Sequence, residues 1–202
     1  MAMKIFNKII LALLILTTIF SGSTVITIPV TGISNPSSAA TKPETNTSGT
    51  VILVKLNDKF AFNVVQQPKG NASFVSGKPD ELTQFSLANQ YGSMGFLAHN
   101  YLAGASFSDL EIGSFITVEY ADSHSTLYQV QEIRHLQAIN PNGLTTNFLD
   151  LDHDKTTLTT RQVFFQTYGV HDRLVLQTCI SKDKELSWGR LFIIATPVEW
   201  YE

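Results

Sequence analysis

Three side chains in this sequence have the makings of an acyl-transfer centre: a thiol, an imidazole and a guanidinium, each at the end of a short apolar run. Cys179 closes LVLQTC, Arg190 opens RLFIIATP, and His99 closes GFLAH. A Cys nucleophile works as the thiolate, which a nearby positive charge favours. Acyl transfer also needs a donor for the oxyanion and a group that protonates the leaving amine. Cys179 is the single cysteine of the 202 residues, so it has no disulfide partner within the chain. In a chain with export features, an unpaired thiol points to a dimer disulfide or to a reactive group. Its setting, at the end of one apolar run with Arg190 opening the next, favours the reactive group.

The elements that must position these groups can be read in part. Residues 174–179 and 190–195 are apolar on both faces, as central strands are. Residues 180–189, ISKDKELSWG, read as a ten-residue connection between them. If the two strands pair as an antiparallel hairpin, Cys179 and Arg190 lie nearly opposite, with Cα atoms roughly 5 Å apart. His99 lies far upstream, and spacing alone does not place it. Among the other histidines, His171 is on the same extended strand as Cys179 and roughly 26 Å from it. His124 sits in a polar turn, and no apolar run ends on His135. His153, in the acidic loop 150–154, stays open by reach.

The rest of the domain is strand-rich. Residues 51–56 and 60–65 read as strands joined at Asn57-Asp58, and 68–79 is turn-rich. Residues 115–120 alternate, with Ile116, Val118 and Tyr120 on one face. A turn at 122–125 leads to a strand over 127–136, whose alternation slips near Glu132 as at a bulge. Helices are expected only over 101–110 and 161–168, the latter entered through Thr159-Thr160 and left at Gly169. Many short strands with few helices predict a mainly β domain, a single closed or nearly closed β-barrel.

Composition narrows the function classes. The net charge is −3 and there is no run of Lys or Arg, which argues against a nucleic-acid partner. Lys4 and Lys8 precede a twelve-residue apolar run over 9–20 and then Ser21-Gly22-Ser23, the pattern of a signal peptide. Twelve helical residues span only about 18 Å of a roughly 30 Å hydrocarbon layer. Apolar character resumes between Val25 and Ile33, so residues 1–23 are expected to be a signal peptide or an N-terminal membrane anchor. Residues 24–49 read as a linker and 50–202 as the catalytic domain, at the cell surface or outside the cell. Asp150, Asp152 and Asp154 have the spacing that starts a calcium loop. Lys155 stands where that loop needs Gly, and Arg161 where it needs Glu. A solvated loop is expected, with no metal and no cofactor.

LVLQTC followed by Arg190 resembles the sortase signature, in which a TLxTC-type strand carries the nucleophile and the next strand opens with the essential Arg. FLAHN resembles the sortase segment bearing the catalytic His, and FSDLEIGSFITVEY the segment after it. The resemblance covers residues 50 to 202, with Val175 in place of the signature Leu and Ala98 in place of a Gly often found before the His. It implies an eight-stranded barrel and a transpeptidase that takes secreted proteins or peptides with a sorting motif. Cys179 would attack the carbonyl of a Thr in that motif. His99 would protonate the leaving amine, and Arg190 would hold the oxyanion. Thr178 would line the site, and the connection carrying Trp188 would help select the substrate. The acceptor would be an amine on the cell wall or on another protein. A catalytically inert secreted binding module of the same fold, or a cysteine peptidase that hydrolyses, is the alternative.

Overall fold

The computed structural model describes residues 49–143 and 146–198. The segment read as signal or anchor, and all but the last residue of the linker, lie outside the described residues. Ten strands follow in order: β1 (Val51–Leu56), β2 (Phe60–Gln66), β3 (Glu81–Gln84), β4 (Met94–Leu97), β5 (Phe115–Tyr120), β6 (Ser125–Ala138), β7 (Phe148–Asp150), β8 (Thr157–Leu158), β9 (Leu174–Lys182) and β10 (Glu185–Pro197). Neighbours run β10-β9-β4-β3-β2-β1-β5-β6, and β6 pairs back onto β10 to close an eight-stranded barrel. The strands β7 and β8 hang from the far end of β6 as two additions. Pairing is antiparallel except for β2–β3 and β4–β9. The mainly β barrel expected from the sequence is therefore the fold observed.

Local chemistry explains the joints. Asn57 and Asp58 both take positive φ, 48° and 53°, a conformation that short polar side chains tolerate and that suits a tight hairpin. The Asn57 side chain also accepts the Phe115 N–H at 2.9 Å and donates to Ser114 Oγ at 3.2 Å, fixing the start of β5. The irregularity expected near Glu132 is real. The β10 register shifts between Ile194, opposite Glu132, and Ala195, opposite Val130, leaving Gln131 as the extra residue. Helix α1 is Ser86–Gln90 and helix α2 is Thr160–Tyr168. A capping box holds the start of α2, with the Gln162 N–H donating to Thr159 Oγ1 and the Thr159 N–H to Gln162 Oε1. The helix expected over 101–110 is instead a 3-10 helix, Ala103–Asp109, in which Ser108 returns its hydroxyl to the Ala105 carbonyl at 2.8 Å.

Two apolar cores flank the β4–β9–β10 wall. Phe96, Leu174, Leu176 and Ile193 fill the lumen with Val54, Ile116, Val118 and Phe107. Leu97, Val175, Phe192 and Ile194 face outward, under Phe85, Val163, Phe164 and Tyr168 of the helical layer. Both faces of β9 and β10 are thus covered, which is why their sequences show no alternation. Gly95 lets the layers close: a Cβ there would lie 2.9 Å from the Ala88 Cβ and 3.0 Å from Tyr168 Cε1.

The ten-residue connection expected after Cys179 is corrected. The strand β9 continues to Lys182 and β10 already begins at Glu185, with a tight turn at Asp183-Lys184 and Asp183 at φ 55°. These residues are polar and exposed at the hairpin tip, so the ladder continues without a hydrophobic signal.

Candidate active site

Register places two of the three chemical groups. Cys179 and Arg190 are direct cross-strand partners. On the other side of β9, parallel β4 pairs Leu97 with Gln177. The Ala98 N–H extends that ladder by donating to the Gln177 carbonyl at 3.2 Å. His99 follows Ala98 directly, just past the end of that ladder. Alternation then sets the face. Leu97, Val175 and Phe192 belong to the outer core, whereas Phe96, Leu176 and Leu191 belong to the lumen. Cys179 and Arg190 share the outward parity and stand side by side across the β9–β10 ladder.

Each member has a distinct environment. Cys179 is half-buried and is a free thiol. Arg190 is 4% exposed, and its Nη1 donates to the carbonyls of Gly189 at 2.8 Å and Ser187 at 3.2 Å. These bonds orient the guanidinium on its own hairpin. The imidazole of His99 stacks on Tyr101, with centroids 5.2 Å apart and planes 21° from parallel. Burial holds the imidazole below its ordinary titration value of 6.5, partly opposed by a hydrogen bond to the Val75 backbone. Burial thus favours the neutral imidazole. A neutral imidazole can accept a proton from a thiol and later return it.

Thr178 does not line this face. It alternates to the lumen side, is buried, and donates from Oγ1 to the Ala98 carbonyl at 2.9 Å. Its hydroxyl fastens the end of β4 instead of facing the outer surface. On the same side the 3-10 helix presses close, since a Cβ on Gly104 would meet Thr178 Oγ1 at 2.4 Å. Trp188 is a half-buried strand residue of β10 and not part of a long loop; Lys182 Nζ lies 4.8 Å above its ring.

The remaining histidines lie elsewhere. His153 and His135 contact Asp150 and Asp152 at 3.5 and 3.2 Å. Asp150 pairs with Leu136, which pairs with Arg190. It is thus three strand spacings, roughly 14 Å, from Cys179. His171 abuts Gly92 before β9 begins. Asp150 is the partner of buried Arg134, at 2.9 Å. Burial disfavours its charge, yet hydrogen bonds from Arg134 and the Asp152 N–H hold the carboxyl below the ordinary carboxylate value. Among the described residues no group of His, Cys, Asp or Glu could hold a metal ion.

Sequence reasoning missed Asn100. Its Nδ2 donates to Ser181 Oγ at 2.5 Å and to the Leu186 carbonyl at 3.4 Å, joining the end of β4 to the hairpin. Only its position directly after His99 hinted at a role. Tyr101 was likewise read as part of a helix and not as the cover of the imidazole.

No family model matches the sequence, and no curated protein does. Among solved structures the chain is similar to sortases of class C. Sortase C1 of Streptococcus agalactiae in complex with MTSET is 13% identical over 74% of this chain and 69% of that one, with a TM-score of 0.44. Sortase C of Clostridium perfringens SM101 is 10% identical, covering 75% and 72%, at 0.45. Sortase C1 of Streptococcus suis is 10% identical, covering 75% and 74%, at 0.47.

Proposed function

We propose that the protein is a cell-surface cysteine transpeptidase of the sortase type, with Cys179 as nucleophile, His99 as proton carrier and Arg190 as oxyanion partner. One observation carries the reading. Cys179 and Arg190 are register partners, and β4, whose end leads through Ala98 to His99, pairs in parallel with β9 on its other side. Neutral His99 takes the thiol proton while sulfur attacks the substrate carbonyl. The guanidinium of Arg190 faces the negative charge that develops on oxygen. As the tetrahedral adduct collapses, the C–N bond breaks and His99 gives its proton to the departing amine. The thioester then meets an incoming amine, which loses a proton to His99 as the C–S bond breaks and the thiol re-forms. Water resolves the thioester when no amine is present. The substrates are secreted proteins or peptides bearing a sorting motif, and the acceptor is an amine of the cell wall or of another protein.

Intact-mass spectrometry after incubation with a library of sorting-motif peptides tests this. A peptide acyl adduct on Cys179, converted to an amide when an amine is added, is the expected result. If no peptide acylates the folded protein, the transpeptidase reading is wrong. Protease added to intact cells should reach the domain; complete protection would place it in the cytosol and overturn the assigned location.

A further inference from the structure

We propose that Asn100 is a positioning residue, whose side-chain amide clamps the His99-bearing end of β4 to the Cys179-bearing hairpin and so sets the imidazole-to-thiol separation. The proposal rests on the acyl-transfer reading above and deepens it. The strand β4 ends at Leu97, and its ladder to β9 is short. Beyond Ala98 the backbone turns away. The His99 carbonyl accepts the N–H groups of Leu102 at 3.0 Å and Gly104 at 3.1 Å, so it serves the turn and not the sheet. Something other than the ladder must hold this turn against the hairpin.

Asn100 has the right chemistry for that. Its amide carries two donors on one planar group, and both are used across a gap in the chain. One goes to Ser181 Oγ at 2.5 Å, two residues beyond Cys179. The other goes to the Leu186 carbonyl at 3.4 Å, in the irregular stretch of β10 that leads to Arg190. Ser181 Oγ itself donates to the Leu186 carbonyl at 3.4 Å, closing a triangle over the hairpin tip. On the lumen side the bond from Thr178 to the Ala98 carbonyl, at 2.9 Å, anchors the residue before His99. His99 is thus bracketed by two fastenings, one on each flank. The Asn100 bonds are solvent-exposed, so they contribute little to stability. Their effect is on geometry, where a misplacement of about 1 Å can cost 10²-fold in rate.

The test uses the full chain with Asn100→Ala, the isosteric Asn100→Asp, which lacks the donors, Ser181→Ala, and the Asn100→Ala/Ser181→Ala double variant. Three readouts are followed: acylation of Cys179 by an accepted peptide, alkylation by iodoacetamide, and the NMR titration of the His99 ring. Both Asn100 variants should slow acylation by about 10- to 100-fold with KM within about twofold. The His99 titration should move up toward 6.5 as the ring leaves its seat, and iodoacetamide alkylation should change with it. The double variant should be no more than about twofold slower than Asn100→Ala, because both changes break one clamp. Acylation within twofold of the parent, or an unmoved His99 titration in folded Asn100→Asp, overturns the proposal. If the parent chain itself is never acylated, the transpeptidase reading fails, and the His99 titration alone decides the clamp.

Discussion

The two faces of the β4–β9–β10 wall are built for different tasks. Toward the lumen stand Phe96, Leu174, Leu176 and Ile193, fully buried and without titratable groups. Three residues farther along β9 and β10, the outward side carries Cys179 and Arg190, and on β6 and β7 stands the buried Arg134–Asp150 pair. The period-two alternation of a strand lets one backbone serve both. Both faces pack apolar side chains, Leu176 and Ile193 toward the lumen and Val175 and Phe192 outward. The outer face spends that rigidity on polar groups that could not orient themselves on a loop. Polar groups on this wall should therefore matter for chemistry where the outward apolar core ends, and the lumen residues for stability alone.

Cys179→Ala should produce the largest effect: no acyl-enzyme by intact mass, with a thermal midpoint close to the parent's, because the half-buried thiol fills little space. Persisting acylation would remove Cys179 from the mechanism. On the opposite parity, Phe96→Ala should cost about 3–5 kcal/mol in denaturant unfolding by opening a cavity in the lumen; a cost below about 1 kcal/mol would mean that the lumen does not carry the stability. Arg190→Lys should slow acylation by about 10²–10³-fold, roughly 3–4 kcal/mol of barrier, while leaving a folded barrel. A lysine variant with near-parent rates would show that charge alone suffices and that the planar fork is not used.

The smallest effect is the pH profile. Burial favours neutral His99, so its folded titration value lies below 6.5. Acylation should hold as pH falls past 6.5 and drop only through the lower, folded value. The stability linked to this group has the same sign, present above the unfolded value and lost as pH falls through the folded one. An acid limb centred above 6.5 would contradict the placement of His99, and its persistence in His99→Ala would assign it to another group.

What could be read from the chain follows the same division. The strands β5, β6, β9 and β10 are long and covered in a regular way, so their apolar patterns are legible, and the Gln131 irregularity shows as broken alternation. The short strands β3 and β4 are four residues each, too brief for any period to emerge. Parallel pairing between β4 and β9 joins segments far apart in sequence, so no local signal reports it, and His99 was tied to Cys179 only by resemblance. The hairpin tip was misjudged because Ser181 to Lys184 are polar, although they keep the ladder or turn. Thr178 shows the opposite lesson. Its neighbour Cys179 faces outward, so strand parity alone sends Thr178 to the lumen.

The barrel closes through β9 and β10, which come last among the described strands yet pair with β4 and β6. Such sequence-distant pairings cost loop-closure entropy before they return any stability, so they belong to the late steps of folding. Cys179 and Arg190 meet across one of those seams, and the chain just past β4 lies at the other. Before closure the chain would hold His99 apart from Cys179 and Arg190, and they would come together only when the β9–β10 hairpin docks. In the reaction proposed above, closure of the barrel would thus act as a timer, delaying acyl transfer until the fold is complete.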